Sequence, residues 1–205
     1  MIPQNNKQLA LRLYDLEKQE TTLATYDLET HQLKVSTGIL DTQIDGLFDT
    51  DGQLLYDASI DRVSYVYYYR NSYLEADSNL EHFKYNKTID TIQQVPLTFA
   101  YMANGTQKKL EKPFKKVNQA AVVGSGYVMI KSENLGAYEP EEMLEQASIF
   151  DVYNALDNRY EFSFYFYNEA REEAHSFYLY QDKIIGITAN YVVVCGMKKN
   201  IFKKL

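Results

Sequence analysis

The sequence predicts an all-β fold built from antiparallel strands, and three observations carry that expectation. Apolar residues alternate with polar ones over short runs along most of the chain. Hairpin-length clusters of Asp, Asn, Gly and Gln separate the runs. The composition leans towards strand, with 19 Tyr and 10 Phe in 205 residues. Alternation sends successive side chains to opposite faces, and gaps this short join antiparallel neighbours rather than crossover helices.

The pattern opens with Leu9, Leu11 and Leu13 in LALRLYDL. It recurs over Leu23 to Leu28, Leu33 to Val35, Leu54 to Tyr56, Val63 to Tyr69 and Leu97 to Tyr101. Further runs are Ala121 to Ile130, Tyr160 to Tyr167, Phe177 to Tyr180, Ile184 to Ile187 and Tyr191 to Cys195. Turn signals stand between them: DLETHQ, DTDGQ, MANGTQ, VGSGY, LDNRY and YQDKI. One segment reads as helix: in EPEEMLEQAS, Pro140 can open a first turn loaded with Glu, which predicts a short helical insertion around Glu141 to Gln146. Alternation also predicts burial of Val122, Val128, Ile130, Phe162, Phe164, Phe166, Ile185, Ile187, Val192 and Val194.

Residues 64–73, SYVYYYRNSY, are the most unusual stretch. Read as one strand, they place Tyr65, Tyr67, Tyr69 and Tyr73 on one face and Val66 and Tyr68 on the other. Such a strand needs cover on both sides. Where the alternation runs out, Arg70, Asn71 and Tyr73 group a planar cation, an amide and an aromatic at a loop-facing rim, and these three are the candidate ligand-binding residues. The competing role for Arg70 is an ion pair with a carboxylate such as Asp77.

A weak repeat runs through the chain. LYDLE at 13–17 returns as TYDLET at 25–30, as LLYDAS at 54–59 and as FDVYNA at 150–155. Each joins a strand end to a turn in which Asp, Asn or Thr can cap backbone amides, a habit of β-propeller blades, where four-stranded sheets are stitched by hairpins.

The stretch from AAVVGSGYVMIKS through SIFDVYNALDNRYEFSFYFYNEAREEAHSFYLYQDKIIGITANYVVVCGM resembles blades of the TolB-like six-bladed propeller proteins of unknown function common in Bacteroidetes. GLFDTDGQLLYDASIDRVSYVYYYRNSYLEAD is similar to an earlier blade of the same type. The resemblance implies antiparallel β-propeller blades over a single domain, 1–205, but no catalytic motif. At ~40–45 residues per blade the length suffices for about three to four blades, a partial propeller. An open array of this kind leaves uncovered faces, with Leu9, Leu11 and Leu13 at one end and Val192 and Val194 at the other. The expected consequence is self-association or docking onto a partner chain.

Other features narrow the function. A net charge of −7 argues against nucleic acid as a partner. The single cysteine, Cys195, excludes an internal disulfide and is expected in the core; His31, His82 and His175 show no metal spacing. Asp41, Gln43, Asp45, Gly46 and Asp49 imitate a calcium loop, but Gly52 stands where a bidentate Glu belongs, so Asp-Gly turns are expected instead. Glu169, Glu172, Glu173 and His175 read as a solvated hairpin loop rather than an acid–base group. KKLEKPFKK and the tail MKKNIFKKL read as an exposed linker and a frayed terminus. Asn86-Lys87-Thr88 and Asn104-Gly105-Thr106 match the glycosylation sequon. No run is long enough for a membrane helix, and the start from Met1 carries no signal-peptide pattern, so the chain as written is expected in the cytoplasm; a missing natural N-terminus would shift that to the periplasm or cell envelope. No catalytic residue, cofactor or metal is predicted. The expected function is a non-catalytic binding or scaffolding propeller that presents loops to a protein, peptide or glycan; the alternative is a hydrolase or lyase working at the blade-tip mouth.

Overall fold

The computed structural model describes residues 1–101, 108–112, 114–135 and 140–203. The first sheet is a meander of β1 (Ile2–Pro3), β2 (Gln8–Asp15), β3 (Glu20–Asp27) and β4 (Leu33–Ser36). The second runs through β5 (Gly52–Asp57), β6 (Arg62–Tyr67), β7 (Ser72–Asp77) and β8 (Phe83–Lys87). A two-stranded ribbon, β9 (Phe99–Tyr101) with β10 (Lys108–Leu110), precedes the third sheet of β11 (Asn118–Gly124), β12 (Tyr127–Ser132), β13 (Ala147–Asn154) and β14 (Tyr160–Tyr167). The fourth holds β15 (Ser176–Tyr180), β16 (Lys183–Ile187) and β17 (Val192–Gly196). Strand order within each sheet is the order in the chain, and the pairings are antiparallel. Among the described residues the fold is all-β, a propeller-like succession of small sheets with no closed barrel, and its four larger sheets match the three to four expected.

The turns form for the reason the repeat suggested. Asp15 accepts hydrogen bonds from the amides of Glu17 and Lys18, Asp27 from those of Glu29 and Thr30, Asp57 from Ser59, and Asn154 from Leu156. One side-chain cap thus recurs at each copy of the motif. His31, Ser125, Asn158 and Gln181 take the positive φ values that reverse the chain at four of the expected turns. The MANGTQ turn and the second sequon lie outside the described residues.

Packing is sheet on sheet. Ala10 and Leu23 of the first sheet meet Leu54, Val63, Tyr65, Tyr67 and Leu74 of the second. The opposite face of the second sheet presents Val66 and Tyr73 to Ala121, Val128, Ile130 and Tyr153 of the third. The third sheet's other face sets Val122, Met129, Phe150 and Phe166 against Ile184, Phe177 and Leu179 of the fourth. Gly186 permits that last approach, because a Cβ there would stand 2.6 Å from the Phe166 ring. SYVYYYRNSY is therefore covered on both sides, but it is not one strand. The chain bends after Tyr67, and Tyr73 lies on β7 beside Val66, facing the third sheet rather than sharing a face with Tyr65.

Several expectations are corrected. Val192 and Val194 are 67% and 53% exposed, and Val193 packs inward instead. Choosing the wrong face of a strand inverts every side chain on it. Ile185 and Ile187 share that outward face and are half-buried; Phe162 and Phe164, on the last strand of the third sheet, are also only half-buried. Cys195 is exposed on β17 rather than in the core. The helix is a single turn, α1 (Met143–Gln146). The tail is anchored rather than frayed: Phe202 is buried and meets Tyr127 and Phe162 edge-on. In the lysine-rich stretch, Lys108–Leu110 forms β10 rather than linker, with Pro113 outside the described residues.

Two measurements test this packing. Phe150 lies fully buried, stacked on Phe164, so Phe150→Ala should cost roughly 3–5 kcal/mol in a urea titration. Glu75 is buried on β7, and burial pushes its pKa up to about 8 against the weaker pull of Ser64 and Arg62. Its unfolded form ionises near pH 4.5. The contribution of Glu75 to stability should therefore be greatest below that pH and fall as the pH rises towards 8, because the unfolded chain releases a proton that the folded one retains. Glu75→Gln should flatten the dependence and raise stability at pH 7 by on the order of 2–4 kcal/mol.

Candidate functional site

Arg70 and Asn71 occupy the bend between the antiparallel strands β6 and β7, at one end of the second sheet. The Arg70 side chain is almost wholly buried. Its guanidinium donates to the Asp41 carboxylate at 3.1 Å and the Asp41 carbonyl at 2.7 Å, and lies 3.7 Å over the Tyr67 ring. The ion-pair partner is therefore Asp41 and not Asp77, which caps the turn before β8 through the amides of Glu81 and His82. Arg70 can reach Asp41 because the loop after β4 folds back across Tyr67, whose hydroxyl accepts the Asp41 amide. Burial pushes that hydroxyl up to about 12 although Arg70 pulls it down.

Asn71 performs the same task for another loop. It is buried; its side-chain amide donates to the Asp90 carbonyl, its side-chain oxygen accepts from Lys87, and its backbone bonds Ile92 and Thr88. Tyr73 is buried between the second and third sheets, its hydroxyl 3.5 Å from the Asn158 carbonyl. Arg70 and Asn71 thus fasten loops at one rim, while Tyr73 lies in the sheet interface.

The calcium-like stretch resolves into a self-capped loop. Asp49 is buried and accepts from the amides of Gln43, Ile44 and Gly46 at 2.6–2.7 Å. Burial works to raise its pKa, and these bonds outweigh it and hold the carboxyl below the ordinary range. Asp45 caps Leu47 and Phe48, so Asp45 and Asp49 serve the backbone while Asp41 holds Arg70. Gly52 is required at the start of β5, since a Cβ would stand 2.4 Å from the Val66 carbonyl oxygen.

The same end of the array carries a cleft of about 290 Å³ between the third sheet and the loop leading into β15. Gln119, Lys131, Glu173, His175 and Phe177 line it. It connects to the Arg70 bend through Asn118, whose side chain donates to the carbonyls of Tyr67 and Arg70. Lys131 is buried, pairs with the half-exposed Glu173 and lies 5.6 Å from the Phe177 ring. Gln119 donates to Glu133 and leaves its side-chain oxygen buried without a partner. His175 Nδ1 lies 3.0 Å from Ser176 Oγ. Glu172 bonds Thr188 and Asn190, and the Asn190 and Thr188 bonds hold its pKa low. The loop is solvated as expected, with Glu169, Glu173 and His175 exposed, and it also builds a wall of the cleft. Lys131 carried no signal in the sequence, because alternation in YVMIKS places it without revealing what lies across from it. Asn86 of the first sequon is buried.

Arg70→Ala should cost roughly 2–4 kcal/mol in chemical denaturation, through loss of a buried, stacked cation and of its hold on the loop at Asp41. Arg70→Lys should recover little of that loss, because an ammonium cannot serve the carboxylate and carbonyl together while lying flat on Tyr67.

No known family's sequence model matches the chain, and no curated protein matches it. Among solved structures, it is similar to a member of the DUF4221 family from Bacteroides vulgatus at 13% identity and a TM-score of 0.46, covering 89% of this chain. This chain spans 55% of that one. It is also similar to a chain of a nidogen/laminin complex, at 7% identity and a TM-score of 0.37, covering 96% of this chain and 73% of that one.

Proposed function

We propose that this chain is a non-catalytic binding or scaffolding protein with propeller blades of the TolB-like kind, and that the cleft lined by Lys131, Glu173, His175 and Phe177 receives part of a protein, peptide or glycan ligand. The observation that carries the reading is the half-exposed Glu173 seated on a buried Lys131 beside an aromatic ring. An anionic group on a ligand can take the place of Glu173 on the ammonium, and Phe177 and the free oxygen of Gln119 supply an apolar and a polar contact. Among the three ligand classes an acidic peptide suits this chemistry best. Arg70 and Asn71 serve the site by fastening the neighbouring loops, with Tyr73 packed beneath them.

A hydrolase is the second reading, and the contact between His175 and Ser176 is what favours it. Its weakness is that the Glu173 carboxylate is spent on Lys131 rather than orienting the imidazole.

Peptide and glycan arrays probed with the purified chain test the proposal. An acidic peptide should bind without being cleaved, and Lys131→Met should weaken it at least tenfold with the thermal midpoint of unfolding little changed. Binding to no array member would reject the reading. Cleavage that is lost in Ser176→Ala would establish the hydrolase instead.

A further inference from the structure

Among the described residues, the two interior sheets are covered on both faces, whereas the sheets at the ends of the array are covered on one. On the outward face of the first sheet, the registers Leu9–Tyr26–Leu33 and Leu11–Ala24–Val35 line up apolar side chains across three strands. Leu33 and Val35 are exposed, and Leu9, Leu11 and Leu13 are half-buried. The outward face of the fourth sheet repeats the arrangement, with Tyr178, Ile185 and Val194 in one row and Ile187 beside Val192 in the next. Tyr178, Val192 and Val194 are each more than half exposed. Charge enters these faces only at their corners, through Asp15 and Glu20 on one and Lys183 on the other. Scattered surface hydrophobes are ordinary, but contiguous rows across three strands mark a surface that meets another.

We propose that two copies of this chain close on each other head to tail, the first sheet of each packing on the fourth sheet of the other. This inference is independent of what the cleft binds. The joint would reproduce the internal ones, in which apolar faces of three- and four-stranded sheets lie against each other. Area decides how many joints are needed. A face of three to four strands at ~4.8 Å spacing and about five residues at ~3.4 Å covers roughly 300 Å², so one joint removes about 600 Å² from water and two remove about 1,200 Å². A single joint falls in the range of adventitious contacts, whereas the doubly joined pair reaches the lower bound of stable, specific interfaces. Each joint pairs two unlike faces, and a two-fold axis that makes both joints at once closes the pair after two copies. The product is a ring of eight sheets, within the range over which propellers close.

Sedimentation equilibrium of the full chain at tens of micromolar tests the proposal. The expected mass is twice the 23.8 kDa of one copy. A Leu33→Glu, Val35→Glu variant and a Val192→Lys, Val194→Lys variant should each weaken the dimer at least tenfold. The substituted positions are exposed in the single chain, and an unchanged circular dichroism spectrum confirms that each variant folds. A monomeric native chain overturns the proposal. So does a dimer that survives either variant, since it would use only one kind of end, and so does mass that grows with concentration without reaching a plateau, since the joint would then not close.

Discussion

Everything in this structure depends on covering both faces of sheets that are apolar on both faces. β6 shows the constraint most sharply: Tyr65 and Tyr67 point to the first sheet and Val66 to the third, and all three are buried. Full burial of large apolar side chains contributes on the order of 1.5–3 kcal/mol each. A sheet carrying such a strand cannot stand with one face in water, so the array must continue on each side of it. The tyrosines add a second service. Their rings fill the space between sheets while the hydroxyls reach the loops, Tyr65 donating to Thr50, Tyr85 donating to Ile39, and Tyr153 accepting from Ile89. Phenylalanine would pack as well and leave those loops untied.

The cleft follows from the same stacking. Strands β11 and β15 lie close together where the third and fourth sheets meet, and the loop entering β15 must cross the end of that seam. Glu173 and His175 are brought there by the crossing, and Lys131 by the last turn of alternation in β12. Asn118 then joins the cleft wall to the bend at Arg70, so the rim of the second sheet and the cleft form one connected edge. A charge as deeply placed as Lys131 is tolerated because Glu173 pairs with it and Phe177 lies nearby.

Much of the secondary structure could be read from residue order alone. The caps by Asp15, Asp27, Asp57 and Asn154 were visible as a repeated motif, since a side-chain cap is a contact over two or three residues. Strands with a buried face at a central position, such as β12 with Val128 and Ile130, were legible for the same reason. The last strand was legible as a strand but not in its facing. In YVVVCGM both faces are apolar, so period two cannot say whether Val193 or its neighbours turn inward. Phe202 was misread because a lysine-rich tail looks solvated, while one aromatic can hold it to Tyr127 and Phe162.

Residue order by itself determined the all-β class, the antiparallel hairpins and the need for cover on both sides of the tyrosine-rich strand. These depend on period, turn chemistry and side-chain character, which act over a few residues. Tertiary structure alone decided that Arg70 pairs with Asp41, 29 positions away, and that Lys131 meets Glu173, 42 away. It alone decided which face of β17 is buried and which faces of the end sheets stay open. Those outcomes depend on which sheet lies opposite, and the contacts that determine this join residues from separate sheets, for which local pattern carries no signal.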